Sequence, residues 1–215
     1  MSTAYQDVAR FHGHECPGMS IGIRVAELAV ERLGRNSLDN ELVVSTETDA
    51  CAVDAIQVLT GCTFGKRNLV HVANGKDIFS FWRRSDGAGI RVSTRPGSEA
   101  YRDERTWALA ESIENGTATD GDRSLFAELQ AARIQRILAA PVEELLVVEE
   151  IEGEAPDRHP LRPSAPCEGC GDMTSSEILH NHRGRMLCPP CHLDAHGGVL
   201  PPDHADHGHG HGHGH

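Results

Sequence analysis

Residues 41–68 read ELVVSTETDACAVDAIQVLTGCTFGKRN. From Glu41 to Thr48, Leu42, Val44 and Thr46 alternate with Val43, Ser45 and Glu47, a period of two that predicts a strand. The strand runs directly into Asp49, Ala50 and Cys51, and Cys51 to Leu59 returns to a helical pattern. Cys51 and Cys62 then fall at either end of a short helix, with Asp49, Asp54, Lys66 and Arg67 close in sequence. A cysteine is often no more than a small buried hydrophobe. The charged and glycine-rich flanks instead predict an exposed, tightly turned site in which Lys66 steadies a thiolate or a bound anion. Gly61 to Lys66 is not a phosphate loop: three residues separate Gly61 from Gly65 where four are needed, and Arg67 stands where Ser or Thr is required.

Upstream, Ile21, Val25, Leu28, Ala29 and Leu33 give Met19 to Leu33 a helical period that ends before Gly34, a suitable C-cap. Just ahead of it, residues 11–19 read FHGHECPGM. An extended segment would turn His12, His14 and Cys16 to one face, and the positive end of the following helix would lower the Cys16 thiol pKa. The alternative is that these residues satisfy hydrogen bonds at a helix start; the combined H-x-H-x-C pattern favours a metal or nucleophile site.

Downstream, Asn68 to Ala73, Ile78 to Trp82 and Gly89 to Thr94 read as three short strands, the first two joined by Asn74 and Gly75, a favoured hairpin dipeptide. An antiparallel meander is the simplest arrangement. Ser98 to Asn115 and Arg123 to Ala139 read as helices, Pro141 stops the second, and Leu145 to Ile151 supplies a last strand. Strands and helices are grouped more than alternated, which predicts an α+β fold of antiparallel strands and packed helices.

The stretch APDRHPLRPSAP at 155–166 contains four prolines and predicts a linker after a first domain at 1–154. Beyond it, Cys167, Cys170, Cys188 and Cys191 form two C-x2-C pairs separated by seventeen residues, the spacing of a structural tetrahedral Zn2+ site in a small module at 167–198. A hairpin is expected around Asn181 to Gly184 and a helix after Cys188. His180, His182, His192 and His196 are surplus to that site; most are expected at the surface, with one able to replace a cysteine or to guard its sulfur through a hydrogen bond. The tail at 199–215 ends DHADHGHGHGHGH. It cannot bury a core and is expected to be disordered, with His204, His207, His209, His211, His213 and His215 forming a labile chelator of divalent transition metals.

The chain has 215 residues, 20 Lys and Arg against 32 Asp and Glu, a net charge of -12 and 4% aromatic residues. That balance argues against nucleic acid as a partner, since phosphate contacts need clustered cations and single strands need stacking surfaces. No uncharged run approaches the roughly 18 residues of a membrane span, and Met1 to Arg10 lacks an apolar leader. A cytoplasmic protein is expected, whose seven cysteines are ligands or reactive thiols and not disulfides.

HGHECPG at 12–18, DACAVDAIQVLTGCTFGKRN at 49–68 and the C-terminal four-cysteine module together resemble the FmdE family, which takes its name from a component of formylmethanofuran dehydrogenase. The resemblance covers about Tyr5 to Ile151. It implies an α+β core domain followed by a zinc finger, a homodimer, and a setting near molybdenum or tungsten enzymes. By matching position it also implies one metal-binding or active-site cleft made of His12, His14, Cys16, Cys51, Cys62 and Lys66. No iron–sulfur or molybdopterin signature accompanies it, so oxidation of formylmethanofuran is not implied. CEGCGDMTSS at 167–176 resembles the treble-clef fingers of the TraR and DksA type.

Three functions compete on these residues. The first is a metal-binding accessory protein: the tail captures an ion, the cleft holds a second divalent transition metal, and the finger docks a client metalloenzyme. The second is a metal- or thiolate-dependent enzyme acting on a small substrate in the same cleft, with Cys51, Cys62 and Lys66 as catalytic candidates. The third is a metal-responsive transcription regulator, which the acidic charge disfavours. No organic-cofactor motif is present, and the sequence leaves open whether any reaction is catalysed.

Overall fold

A computed structural model describes residues 3–35, 41–101, 103–156 and 163–198. The chain divides into two compact units, Met1–Arg158 and His159–His215.

The first unit is α+β. In chain order it contains α1 (Thr3–His12), α2 (Pro17–Leu33), β1 (Leu42–Thr46), α3 (Ala52–Thr60), β2 (Leu69–His71), β3 (Ile78–Arg83), β4 (Ala88–Thr94), α4 (Glu104–Glu114), α5 (Asp120–Ala139), the single turn α6 (Val142–Leu145) and β5 (Leu146–Glu152). The sheet order is β2-β1-β3-β4-β5. Only the β1–β2 pair is parallel; β1–β3, β3–β4 and β4–β5 are antiparallel. The expected β2–β3 hairpin is therefore absent, because β1 lies between those strands. Asn74 and Gly75 still turn the chain, with Gly75 at φ +68, but the turn carries it past β1 and not back onto β2. The helix between β1 and β2 makes parallel pairing possible, since parallel neighbours need a crossover.

Periodicity selects the buried faces. Val44 stands opposite Phe81, and Phe81 opposite Ile90. These residues join Val25, Leu28, Ala29, Ile56 and Ile137 in the main core. A smaller core unites Tyr5 and Val8 of α1 with Met19 and Ile23 of α2, Ala55 of α3 and Ile134 of α5. Helix α5 starts three residues before its apolar pattern suggests, because Thr119 and Asp122 form a reciprocal capping box. Helix α4 starts later than its pattern suggests, after the N-cap Asp103, which accepts the Thr106 N–H at 2.7 Å. Arg24 of α2 donates to the carbonyls of Leu138 (2.5 Å) and Ile137 (3.4 Å) at the end of α5, placing a cation at the negative end of that helix.

Helices α2 and α3 cross at near backbone contact. A Cβ at Gly22 would fall 2.3 Å from the Ala52 carbonyl oxygen and 2.6 Å from its Cα, and one at Gly18 would fall 3.1 Å from the Cys51 Cβ. Residues four apart share a helix face, so the two glycines make a flat strip against which the start of α3 lies.

The second unit contains β6 (Ser164–Pro166), β7 (Met173–Ser175), a 3-10 turn η1 (Ser176–Ile178), β8 (His180–His182), β9 (Arg185–Leu187) and α7 (Pro189–Ala195). β6 pairs with β7 around the first C-x2-C turn, and β8 with β9 around Arg183 and Gly184, both at positive φ. The second pair of cysteines sits at the N-terminus of α7, with Cys188 as its N-cap. Knuckle, hairpin and short helix follow one another in treble-clef order. The end of the proline-bearing stretch differs from a simple linker, because Ser164 to Pro166 pair with β7 as a short edge strand, where proline is tolerated. The histidine-rich tail lies outside the described residues. No helix among the described residues is long and apolar enough to cross a membrane.

Gly22→Ala is expected to destabilise the first unit by about 2 kcal/mol or more through overpacking against backbone, read as a lower urea midpoint in the fluorescence of Trp82 and Trp107. Gly65→Ala, where an added Cβ meets nothing within 4 Å, serves as the control and should change the midpoint little. Equal midpoints for the two variants would mean that the crossing accommodates a methyl group.

Candidate metal centre

Three elements end at one point. α1 stops at His12 because Gly13 adopts φ +88 and donates its N–H to the Ala9 carbonyl at 2.9 Å. α2 begins after Cys16, an extended N-cap residue whose sulfur accepts the Met19 N–H at 3.3 Å, with Pro17 at the first helical position. α3 begins after Cys51, held beside α2 by the glycine strip. The ligand atoms of His12, Cys16 and Cys51 all lie within 4.8 Å of one another, and all three residues are half-buried.

Asp54 completes the arrangement. Its Oδ2 lies 2.7 Å from His12 Nδ1. A carboxylate only accepts, so Nδ1 carries a proton, and in the neutral ring the Nε2 lone pair faces the Cys16 sulfur at 3.5 Å. A carboxylate behind an imidazole is the usual means of fixing the tautomer of a metal-binding histidine. Asp54 is three residues after Cys51, one helical turn along the same face. That spacing is the one signal of its role in the sequence, and residue type alone does not reveal it.

The HxHxC segment is a turn between two helices and not an extended strand. His12 and Cys16 nevertheless converge. His14 is exposed and lies against His12 with ring centroids 4.4 Å apart and planes tilted by 35°, beside the three-residue group and not within it. The helix end does not dominate the Cys16 thiol: burial pushes it up to about 11, the Met19 N–H pulls the other way, and the neighbouring Cys51 adds to the rise. Without an ion, Cys16 is a neutral thiol.

The site opens into a cavity of about 820 Å³ lined by Cys16, Cys51, Phe79, Tyr101, Trp107 and Arg133, among others. Tyr101 is anchored by its hydroxyl, 2.6 Å from Thr94 Oγ1, and Arg133 donates to the carbonyls of Glu99 and Ala100. A larger cavity of about 960 Å³ lies near Arg32, Arg83 and Glu150, and neither sulfur nor imidazole lines it.

Cys62 and Lys66 are placed elsewhere. Nine helical residues separate Cys51 from Cys62, about 13 Å at 1.5 Å per residue, and Gly61 at φ +77 then breaks the helix. Cys62 is fully buried in the main core, where its thiol donates to the Leu42 carbonyl at 3.3 Å. Lys66 Nζ donates to the Gly61 carbonyl at 2.7 Å, so its charge caps the end of α3 opposite Cys51. The GCT stretch is a structural turn, supported by Cys62 N–H to Thr60 Oγ1 (3.1 Å) and Thr63 N–H to Asn68 Oδ1 (2.9 Å).

In the second unit the sulfurs of Cys167, Cys170, Cys188 and Cys191 lie within 4.8 Å of one another. The 3.8 Å between the Cys170 and Cys188 sulfurs matches the edge of a tetrahedron with metal–sulfur bonds of about 2.3 Å. Backbone N–H groups of Cys188 and Cys170 draw the Cys167 thiol down to about 6, favouring the thiolate that a cation needs. The Cys188 and Gly169 N–H groups lie 3.1 Å and 3.3 Å from the Cys167 sulfur. The expected surface placement of the nearby histidines does not hold for His192, which is 2% exposed.

A family model described as FmdE, Molybdenum formylmethanofuran dehydrogenase operon, matches residues 11–147. Over 170 residues the chain is 29% identical to a protein of Archaeoglobus fulgidus named probable S-adenosyl-L-methionine-binding protein, covering 76% of this chain and 46% of that protein. The chain thus spans less than half the length of this relative. Among solved structures, a tungsten formylmethanofuran dehydrogenase FmdE-like protein from Syntrophus aciditrophicus superposes with a TM-score of 0.56 at 24% identity, over 86% of this chain and 88% of the other. At that identity the likeness is one of fold.

Burial pushes the Cys62 thiol from about 9 to about 11. Between those values the folded chain holds a proton that the unfolded chain releases, so the stability contributed by the neutral thiol is complete below about pH 9 and drains away toward pH 11. Cys62→Ala is expected to flatten that part of the stability curve, and peptide mapping after iodoacetamide treatment of the native protein at pH 8 should find Cys62 unmodified. Rapid native-state alkylation of Cys62 would contradict its burial.

Proposed function

The chain belongs to the FmdE family, and from that premise we propose that it is a metal-binding accessory protein serving a formylmethanofuran dehydrogenase-type or other molybdenum or tungsten enzyme. The observation that carries this reading is the convergence of His12, Cys16 and Cys51 with Asp54 behind the imidazole. One nitrogen and two sulfurs suit a borderline divalent ion such as Zn2+, Ni2+, Fe2+ or Cu2+. On binding, such an ion takes the place of the Cys16 proton, so affinity falls with acidification. In this reading the four cysteines of the second unit hold a structural Zn2+, that unit contacts the client, and the histidines of the tail collect metal. The tail would release its ions as its imidazoles protonate below about pH 6.

The cavity favours a second reading, a metal-dependent enzyme for a small substrate. Three protein ligands leave a coordination position open, and here that position borders a space with aromatic walls and the Arg133 guanidinium. Cys62 and Lys66 lie outside the cavity lining, so of the catalytic candidates from the sequence only Cys51 remains at the site, there as a metal ligand.

Co2+ loading of the full-length protein tests the shared premise, because thiolate-to-cobalt charge transfer reports sulfur ligands and is silent for the imidazoles of the tail. The expected result is a centre at the four C-terminal cysteines plus a second, weaker thiolate centre. Cys16→Ser and Cys51→Ser should each remove the second centre and spare the first, Asp54→Asn should weaken it about 10- to 100-fold, and Cys62→Ser should leave it intact. Unchanged charge-transfer intensity in the Cys16→Ser, Cys51→Ser double variant would sink the proposal. Metal-dependent turnover that is lost in Trp107→Ala, a cavity-wall variant, with the second Co2+ centre intact would favour the enzyme over the accessory role.

A further inference from the structure

The four cysteines complete one tetrahedral set, yet the same unit gathers a second group of donors. His182 closes β8, and His192 and His196 lie four residues apart on α7 and just past its end, on one helix face. The ligand-capable nitrogens of these three residues all lie within 4.8 Å of one another. His182 Nδ1 is 3.1 Å from His196 Nε2. Two imidazoles on one tetrahedral cation, with metal–nitrogen bonds of about 2.0–2.1 Å, hold their nitrogens about 3.3 Å apart. The ring centroids of His192 and His182 lie 4.7 Å and 4.6 Å from that of His196, and His180 stacks on His192 at 4.7 Å and 22°.

A hydrogen bond between His182 and His196 needs only two rings. A third imidazole, that of His192, is 2% exposed and places a nitrogen within 4.8 Å of both. Sulfur is excluded from this group, since each of the four cysteines belongs to the other cluster.

We propose that His182, His192 and His196 form a second metal site in the C-terminal unit, taking a late first-row divalent cation through three neutral imidazoles with one position open. An H-x3-H pair on a helix joined by one histidine from a neighbouring strand is a donor set that suits Zn2+, Ni2+ or Cu2+. The site is independent of the His12–Cys16–Cys51 centre and of the function proposed for it.

The test uses the full-length Cys16→Ser, Cys51→Ser double variant with its four C-terminal cysteines zinc-loaded and with the six histidines from His204 to His215 replaced by asparagine, titrated with Co2+. The expected signal is a set of ligand-field bands that grows without added thiolate charge transfer, which separates this site from both sulfur-containing ones. His182→Ala and His196→Asn should each weaken that Co2+ centre by at least about tenfold, since even the outer partners of metal ligands are worth about 10- to 100-fold. Zinc retained at the four cysteines verifies the fold of each variant, and His196→Asn, on the solvent side, carries the test if His182→Ala loses its zinc. Absence of a sulfur-free Co2+ centre in the parent, or unchanged affinity in His196→Asn, would overturn the assignment.

Discussion

The contact on which the first unit depends is the crossing of α2 over α3 at Gly18 and Gly22. A side chain at Gly22 would have to share space with the backbone of Ala52, which cannot retreat as a side chain can. The approach places the start of α3 beside the start of α2 and so brings two N-cap residues, Cys16 and Cys51, into range of each other. The buried residues Ile23, Ala55 and Met19 then consolidate the crossing from one side, and α1 packs there with Tyr5 and Val8. The chemistry of the site is thus a by-product of helix packing: the same strip of missing side chains sets the fold and the spacing of the sulfurs.

The Cys16 environment shows how two familiar effects compete. A helix N-terminus and a backbone N–H both favour a thiolate, whereas burial next to a second sulfur disfavours it, and burial wins. The balance differs at Cys167, where several backbone N–H groups converge on one sulfur and the thiolate is favoured even without an ion. Within the four-cysteine group the shift is uneven: Cys167 is drawn toward the thiolate, whereas hydrogen bonding from Cys188 and burial push Cys191 up to about 12.

Much of this is legible in the chain because it depends on local periodicity. The apolar spacing of residues 19–33 and the alternation of 42–47 mark α2 and β1 directly, and the C-x2-C pairs announce their own geometry. Helix α1 is not legible, since Tyr5 and Val8 are its only two buried side chains and its docking is tertiary. Asn74 and Gly75 mark a turn but not the strands it joins, because the β1–β2 pairing across α3 outweighs a local hairpin preference. In the site, residue type and context single out His12, Cys16 and Cys51. They do not separate Cys62 from these three, because sequence proximity to Cys51 hides a helix length and a left-handed break at Gly61. The role of Asp54 depends on which face of α3 meets the end of α1, and that is a tertiary fact.

The sheet leaves β2 and β5 as its outer strands. β2 offers three residues, too few to template a partner. β5 is longer, but Glu149, Glu150 and Glu152 are exposed along it, and two of them are engaged by Arg91 and Arg32. A row of carboxylates on a rim strand repels a second copy of itself. Continuation of the sheet from one molecule into the next is thereby disfavoured at both margins.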